Sequence, residues 1–555
     1  LKSAANYGCP SIDDLQDLES NAGFERMHKF ISPEGVRQDA AHIYLHPLLQ
    51  DGAHPNLHLL LHSKVCRVLF DAQHRATGVE YVTAGTPCSA GLQSPTLKTV
   101  KAKRLVIISC GTFGSPAILE RSGIGRRAHL EQLGIQTVSD LPGVGENYRD
   151  HPFIHFSYKA SLPEKETLDW VLRDPAHMPK LMAEKNPVLG TNGLEIFGRW
   201  RPSTLEVEQM RNPRIAKLWA EEFVPHPSKP FMLTGSFAGY LGPPSDVPPG
   251  QYFTIGNYIP YPRSQGSVHI TGKQVDAPLD ISTGFFEGAG DIDLDLQVWT
   301  YKRTREVARR LDCYLGEVTV GHPQFATSSK AALVSLDSGS AGEAAQCGGP
   351  LKDIEYTSED DEAIKACIRE RIATAWHYLG SAPMRPREEG GVVDKDLHVY
   401  GVSKLMVAGE LFLAFFSFLC SWEYFISISS RWCLLVLCYR QALGVETLTV
   451  PVPVGLIRLV DCSLQCRGKH VQHSSRYWRE SGHNCRAGTG DRNRITPSCM
   501  LRSQVVNSVV ALITSEWPAN STNRRRPLVS VRGKGRGEAG GQQATFPDVL
   551  KGCSV

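Results

Sequence analysis

The stretch LVIISCGTFGSPAILERSGIG (residues 105–125) decides the fold. Leu105–Ile108 is a continuous apolar run, as in a strand covered on both faces. A small-residue turn follows. Ser115-Pro116 then supplies a helix start, with serine as cap and proline at the first helical position. Gly123 suits the helix stop. A buried strand that turns through small residues into a helix N-terminus is where α/β sheets hold phosphates and cofactors. Ordinary β-α turns share this pattern, so the neighbouring segments have to decide what the turn holds.

Upstream, 29–49 reads as a loop and then a helix, with apolar positions at three-to-four spacing after a Pro-Glu-Gly turn. NLHLLLHSKVCRVLFD (56–71) and RATGVEYVTAG (75–85) read as successive antiparallel strands, and 98–111 adds one more strand before the buried one. Downstream, 156–360 is richer in Pro, Gly and aromatics, and YIPYPRSQGSVHITG (258–272) reads as a strand with a turn at Gln265-Gly266. Long helices are expected over 291–315 and 359–372, the second with Asp360 and Asp361 in its first turn. This part reads as a sheet-and-helix domain covering a site made by the first one. The fold class is α/β, of two domains, the second with an antiparallel sheet and helices.

The chain has 555 residues, enough for two or more domains, and a net charge of +3 that hides a split. Residues 411–555 carry +10 and residues 1–410 carry −7. The fifteen cysteines show no regular spacing, which points to free thiols in a reducing compartment, and the start at Leu1 shows no signal peptide and reads as a fragment. From 404 to 440 the chain is strongly apolar and aromatic, then Arg-, Ser- and Gly-rich with no sustained period. Glu423 and Arg431 make 411–438 a poor membrane span. Cys462, Cys466, His470 and His473 are too loosely spaced to read as a zinc site, RRRP (524–527) reads as solvated charge rather than a nucleic-acid patch, and no metal is expected.

GTFGSPAILERSGIG (111–125) resembles the second signature of the glucose–methanol–choline (GMC) oxidoreductases, flavoenzymes that oxidise alcohols. GVRQDAAHIYLHP (35–47), LPGVGENYRDHP (141–152), YPRSQGSVHI (261–270) and TAWHYLGSAPM (374–384), continuing to GVVDKDLHVYGVSKLMVA (391–408), agree with the family in order. The wording is nearest its fungal alcohol (methanol-type) oxidase branch. The resemblance implies FAD as cofactor, a small alcohol as substrate and oxygen or a quinone as electron acceptor. It makes His377 the active-site base, since imidazole suits removal of a hydroxyl proton as hydride leaves. It puts Trp376 at the flavin or the pocket wall, Cys110, Gly111 and Ser115 at the turn near the ADP part, and the Val65 backbone near adenine. Asn147, Asp150 and His151 lie in a matched motif with structural roles expected, His151 as a core histidine. The implied division is a partial FAD-binding domain over 1–155, a substrate-binding domain over 156–360, a return to the FAD-binding domain over 361–409 and an unrelated, poorly ordered tail from 410. The family's Gly-rich dinucleotide loop precedes anything in this sequence, so weak or no FAD binding and impaired activity are expected, with a non-catalytic, mis-spliced or degenerate product as the alternative. Its second catalytic His or Asn finds no match after Ala408. Gly409-Glu410 can be written GGT GAG, containing a splice-donor-like GTGAG, so the tail reads as translated intron. A peroxisomal or cytoplasmic location and a homo-oligomer are compatible with the resemblance.

Overall fold

The computed structural model describes residues 1–409 except 2–4, 6, 16, 18, 19, 84–96 and 334–350, together with 457–461 and 509–513. All of them belong to one compact unit, spanning 1–464 and 489–514; the chain's other unit, 465–488 and 515–555, lies outside the described residues. The strands in chain order are β1 (Gly23–Arg26), β2 (Leu57–Leu60), β3 (Ser63–Phe70), β4 (Ala76–Thr83), β5 (Lys98–Lys101), β6 (Leu105–Ser109), β7 (Ile124–Gly125), β8 (Ser139–Asp140), β9 (Pro152–Ala160), β10 (Leu194–Trp200), β11 (Met232–Phe237), β12 (Gln251–Tyr258), β13 (Ser267–Ile270), β14 (Leu279–Ser282), β15 (Tyr314–Glu317), β16 (Ala373–Thr374), β17 (Leu405–Val407), β18 (Ile457–Asp461) and β19 (Val509–Ile513). Three described helices exceed ten residues: α1 (Gly111–Arg121), α2 (Asp291–Arg309) and α3 (Ser358–Arg371).

Two sheets organise these elements. The first runs β17-β6-β19-β18-β2. Its strand β6 is buried along its whole length, as the apolar run requires, and pairs in parallel with β17, Leu405 opposite Val106. On its other side it pairs antiparallel with β19, and β18 continues to β2 in parallel. Ten residues of the segment beyond 410 thus pair within this sheet, and the rest of that segment lies outside the described residues. A buried strand such as β6 needs hydrogen-bond partners along both edges, and β19 supplies one of them.

The second sheet is antiparallel, β1-β10-β11-β12-β9-β15, with β16 pairing the start of β9. Helices α2 and α3 cover one face: Ile154, Phe156 and Ile255 pack with Leu294, Val298, Ile364 and Ile368 in one core. A separate core holds β6 and β17 with Val65, Val79 and the Ile118–Leu119 face of α1. Helix α3 starts at a capping box, Thr357 with Asp360, as its acidic first turn suggests.

Two local readings are corrected. Residues 56–71 are not all part of one antiparallel meander: β2 joins the first sheet, in parallel with β18, His62 at φ +53° turns the chain, and β3, β4 and β5 form the antiparallel set. And Ser115-Pro116 do not open α1. The helix begins at Gly111, with Pro116 inside it. Gly111, at φ +69°, turns the chain directly from the end of β6 into the helix. Pro116 has no N–H for the Thr112 carbonyl, and Ser381 Oγ donates to that carbonyl instead, at 2.7 Å. Ser115 still serves the turn from inside the helix, its Oγ accepting the Cys110 N–H at 3.0 Å.

Candidate active site

Ser381 belongs to the loop that carries His377, so the substitute for one missing hydrogen bond ties α1 to that loop. Thr112 Oγ1 adds a second tie, donating to the Tyr378 carbonyl at 2.8 Å. Phe113, Tyr148 and Tyr378 pack together beneath it, with ring centroids 4.6 to 5.9 Å apart. The other side of the loop is zipped to 145–149. Arg149 and Leu379 exchange both backbone hydrogen bonds at 2.9 Å, Gly145 N–H donates to the Ser381 carbonyl, and Asn147 Nδ2 donates to the Gly380 carbonyl at 3.2 Å. The approach is so close that a Cβ on Gly380 would sit 2.3 Å from the Asn147 carbonyl oxygen.

His377 therefore emerges between the N-terminus of α1 and the start of β9. Its ring stands edge-on to His151, centroids 5.4 Å apart, and near-perpendicular to Tyr258, centroids 6.3 Å apart. Part of His377 remains accessible, while burial of its surroundings lowers the imidazole to about 4. At neutral pH the ring is uncharged and offers a lone pair, as a proton acceptor must. His151 is buried and Nδ1–H donates to the Ile259 carbonyl at 2.7 Å. Burial and the neighbouring His377 charge push it down to about 3, in keeping with a core histidine.

Trp376 is 62% exposed and holds φ +60°, a conformation few non-glycine residues adopt. Its indole stands open beside the partly accessible His377. Gly111 and Cys110 lie at the end of β6 where α1 begins, and a helix start leaves its first amides without intrahelical partners. The Tyr148 hydroxyl, fully buried near these residues, has no hydrogen-bond partner. An open ring, an anion-friendly helix start and an orphaned hydroxyl together fit a flavin nucleotide. Val65 is not part of this cluster. Its side chain is 2% exposed, in the core, and its neighbours Cys66 and Val68 bond Arg121 and Ser122, the far end of α1. An eleven-residue helix puts that end about 16 Å from Gly111.

Thr112, Ser381, Tyr148 and Asp150 shape the site, and none is legible as such from local sequence. The only signal is their presence inside the motifs 111–125, 141–152 and 374–384.

Comparison with known proteins agrees with this arrangement. Residues 1–153 match the N-terminal family model described as GMC oxidoreductase, and 262–410 match its C-terminal counterpart. Alcohol oxidase 2 of Komagataella phaffii is 34% identical over 457 residues, covering 74% of this chain and 67% of the relative. Alcohol oxidase of Pichia angusta is 35% identical over 452 residues, covering 74% and 66%. The chain thus spans about two thirds of the length of these relatives. Among solved structures, formate oxidase of Aspergillus oryzae RIB40 superposes with a TM-score of 0.60 at 21% identity, covering 79% of this chain and 69% of that one. A fungal aryl-alcohol oxidase gives 0.57 at 18%, covering 79% and 70%. At those identities the structures show a shared fold.

Proposed function

The chain belongs to the GMC oxidoreductase family, and on that footing we propose that it oxidises a primary alcohol to an aldehyde with FAD as cofactor and oxygen as final acceptor, yielding hydrogen peroxide. The observation that carries this is a neutral, partly open imidazole, His377, tied through Thr112–Tyr378 and Ser381–Thr112 to the helix start that suits a dinucleotide phosphate. Bound FAD supplies the hydride acceptor. The chain's own residues do the rest. His377 takes the hydroxyl proton as the carbon–hydrogen bond breaks, which needs the base form that burial maintains. Trp376 walls the pocket. Cys110, Gly111 and Ser115 shape the turn for the ADP part. The elements within 156–360 provide the substrate side. The names of the relatives in Komagataella and Pichia support an alcohol and oxygen. Five described cysteines, Cys9, Cys66, Cys110, Cys313 and Cys367, are free thiols, which supports an intracellular, peroxisomal or cytoplasmic, setting.

The test is to saturate the 555-residue chain with excess FAD and add primary alcohols anaerobically. Bleaching of the flavin's visible absorbance, with oxygen consumption on readmitting air, is the expected result. Reduction by alcohol that only a quinone-like dye can reverse would replace the oxidase reading with a dehydrogenase. No bleaching with any primary alcohol would overturn both.

A further inference from the structure

Beneath the His377 loop lies one carboxyl group with no obvious catalytic contact. Asp150 is 1% exposed. Its Oδ1 accepts the backbone N–H of His151 at 2.7 Å and the backbone N–H of His377 at 3.1 Å. Its Oδ2 accepts the hydroxyl of Thr374. The Thr374 oxygen in turn accepts the Trp376 N–H at 2.9 Å. One side chain thus holds both histidine backbones and, through Thr374, the residue in the left-handed conformation between them.

We propose that Asp150 is the positioning residue for His377, fixing the strained Trp376–His377 turn and the edge-on pairing of the His377 and His151 rings. The inference rests on the reading of His377 as the base. The geometry favours it over a plain core role. A carboxyl buried this deeply costs free energy unless it is fully bonded, and its acceptor oxygens are spent on the loop that presents the base. A non-glycine residue at φ +60° persists only where its surroundings hold it. Burial raises Asp150 to about 7, against the pull of the Thr374, His151, His377 and Trp376 donors. The titratable groups around it are Tyr148, His151 and His377. As pH rises through about 7 the group gains its charge and becomes a stronger acceptor for the backbone N–H groups of His151 and His377. The loop that presents the base is then held more firmly, so turnover should rise over the same interval.

Three variants of the FAD-loaded chain test this. Asp150→Ala should lower kcat by about tenfold or more with little change in KM, the mark of a misplaced base. Asp150→Asn keeps an acceptor oxygen but cannot charge. It should recover most of the wild-type rate below pH 7 and lack the rise through pH 7. Thr374→Val, which keeps the carboxyl, covers the case in which the alanine variant does not fold, and should lower kcat by a smaller factor. A second readout needs no turnover: the His377 ring, followed by NMR titration, should move its midpoint from about 4 toward the ordinary 6.5 in Asp150→Ala. An unchanged midpoint together with unchanged kcat in folded Asp150→Ala, or an Asp150→Asn enzyme that keeps the rise, overturns the inference. A wild-type chain that oxidises no alcohol defeats the functional reading instead, and the NMR midpoint then decides whether Asp150 positions the loop.

Discussion

At the scale of single residues, the site depends on close approaches that tolerate no added atom. Gly380 combines φ +87° with a Cβ position 2.3 Å from the Asn147 carbonyl oxygen, a backbone atom that cannot swing aside. Gly380→Ala should therefore cost at least the about 1–3 kcal/mol of a strained left-handed residue, read by denaturant unfolding. A change within error would mean that the loop is less tightly zipped to 145–149 than described. His377 itself should stay neutral down to about pH 4, and an NMR midpoint at 6.5 or above would contradict its buried setting. The histidine was legible in the sequence through the motif around it. Asp150 was legible only as a motif residue with a structural role, because its contacts to the His377 loop come from the pairing of 145–151 with 377–381, which buries it.

At the scale of elements, α1 is held at both ends. Its N-terminus is tied to the His377 loop, and its C-terminal half is locked to β13. The fully buried Glu120 accepts His269 Nδ1–H at 2.7 Å and the Ile270 N–H at 2.8 Å, while Glu146 lies 3.5 Å from His269 Nε2. Burial alone would lower His269, but the bonds and charges of Glu120 and Glu146 outweigh it and raise the ring to about 9. This pairing is an imidazolium between two carboxylates. Because the folded pKa is above the unfolded one, its stabilisation is complete below about pH 6.5 and is lost as pH rises through about 9. His269→Ala leaves Glu120 buried without its charged partner and should cost about 3–5 kcal/mol near neutral pH, as for a broken buried pair. The deficit should shrink above pH 9, and a deficit independent of pH would show that packing rather than charge is lost. The strand β6, the helix after it and the acidic start of α3 were legible because local period and caps encode them. The start of α1 was misread because Pro116 looks like a first-turn proline, and its lost hydrogen bond is replaced by Ser381, 265 residues away in the chain.

At the scale of the whole molecule, 145–149 pairs with the His377 loop and the chain then runs on into β9 of the antiparallel sheet. The two-domain α/β class was legible from texture and motif order. The sheet order was not: β18 and β19 come from a segment with no sustained apolar period, and pairing across hundreds of residues leaves no local trace. Ala511, opposite Ile107 of β6 and Leu459 of β18, gives a direct check. Ala511→Pro removes a ladder hydrogen bond from an interior strand and should lower the unfolding midpoint; an unchanged midpoint would mean β19 adds nothing to the sheet. The central claim, that His377 is the base of an alcohol-oxidising flavin site, is tested most directly by anaerobic stopped-flow reduction of the FAD-loaded chain by a primary alcohol, wild type against His377→Ala. The account predicts that flavin bleaching slows by roughly 100-fold or more, as for removal of a general base, with FAD still bound. Equal rates of bleaching in the two proteins would contradict it.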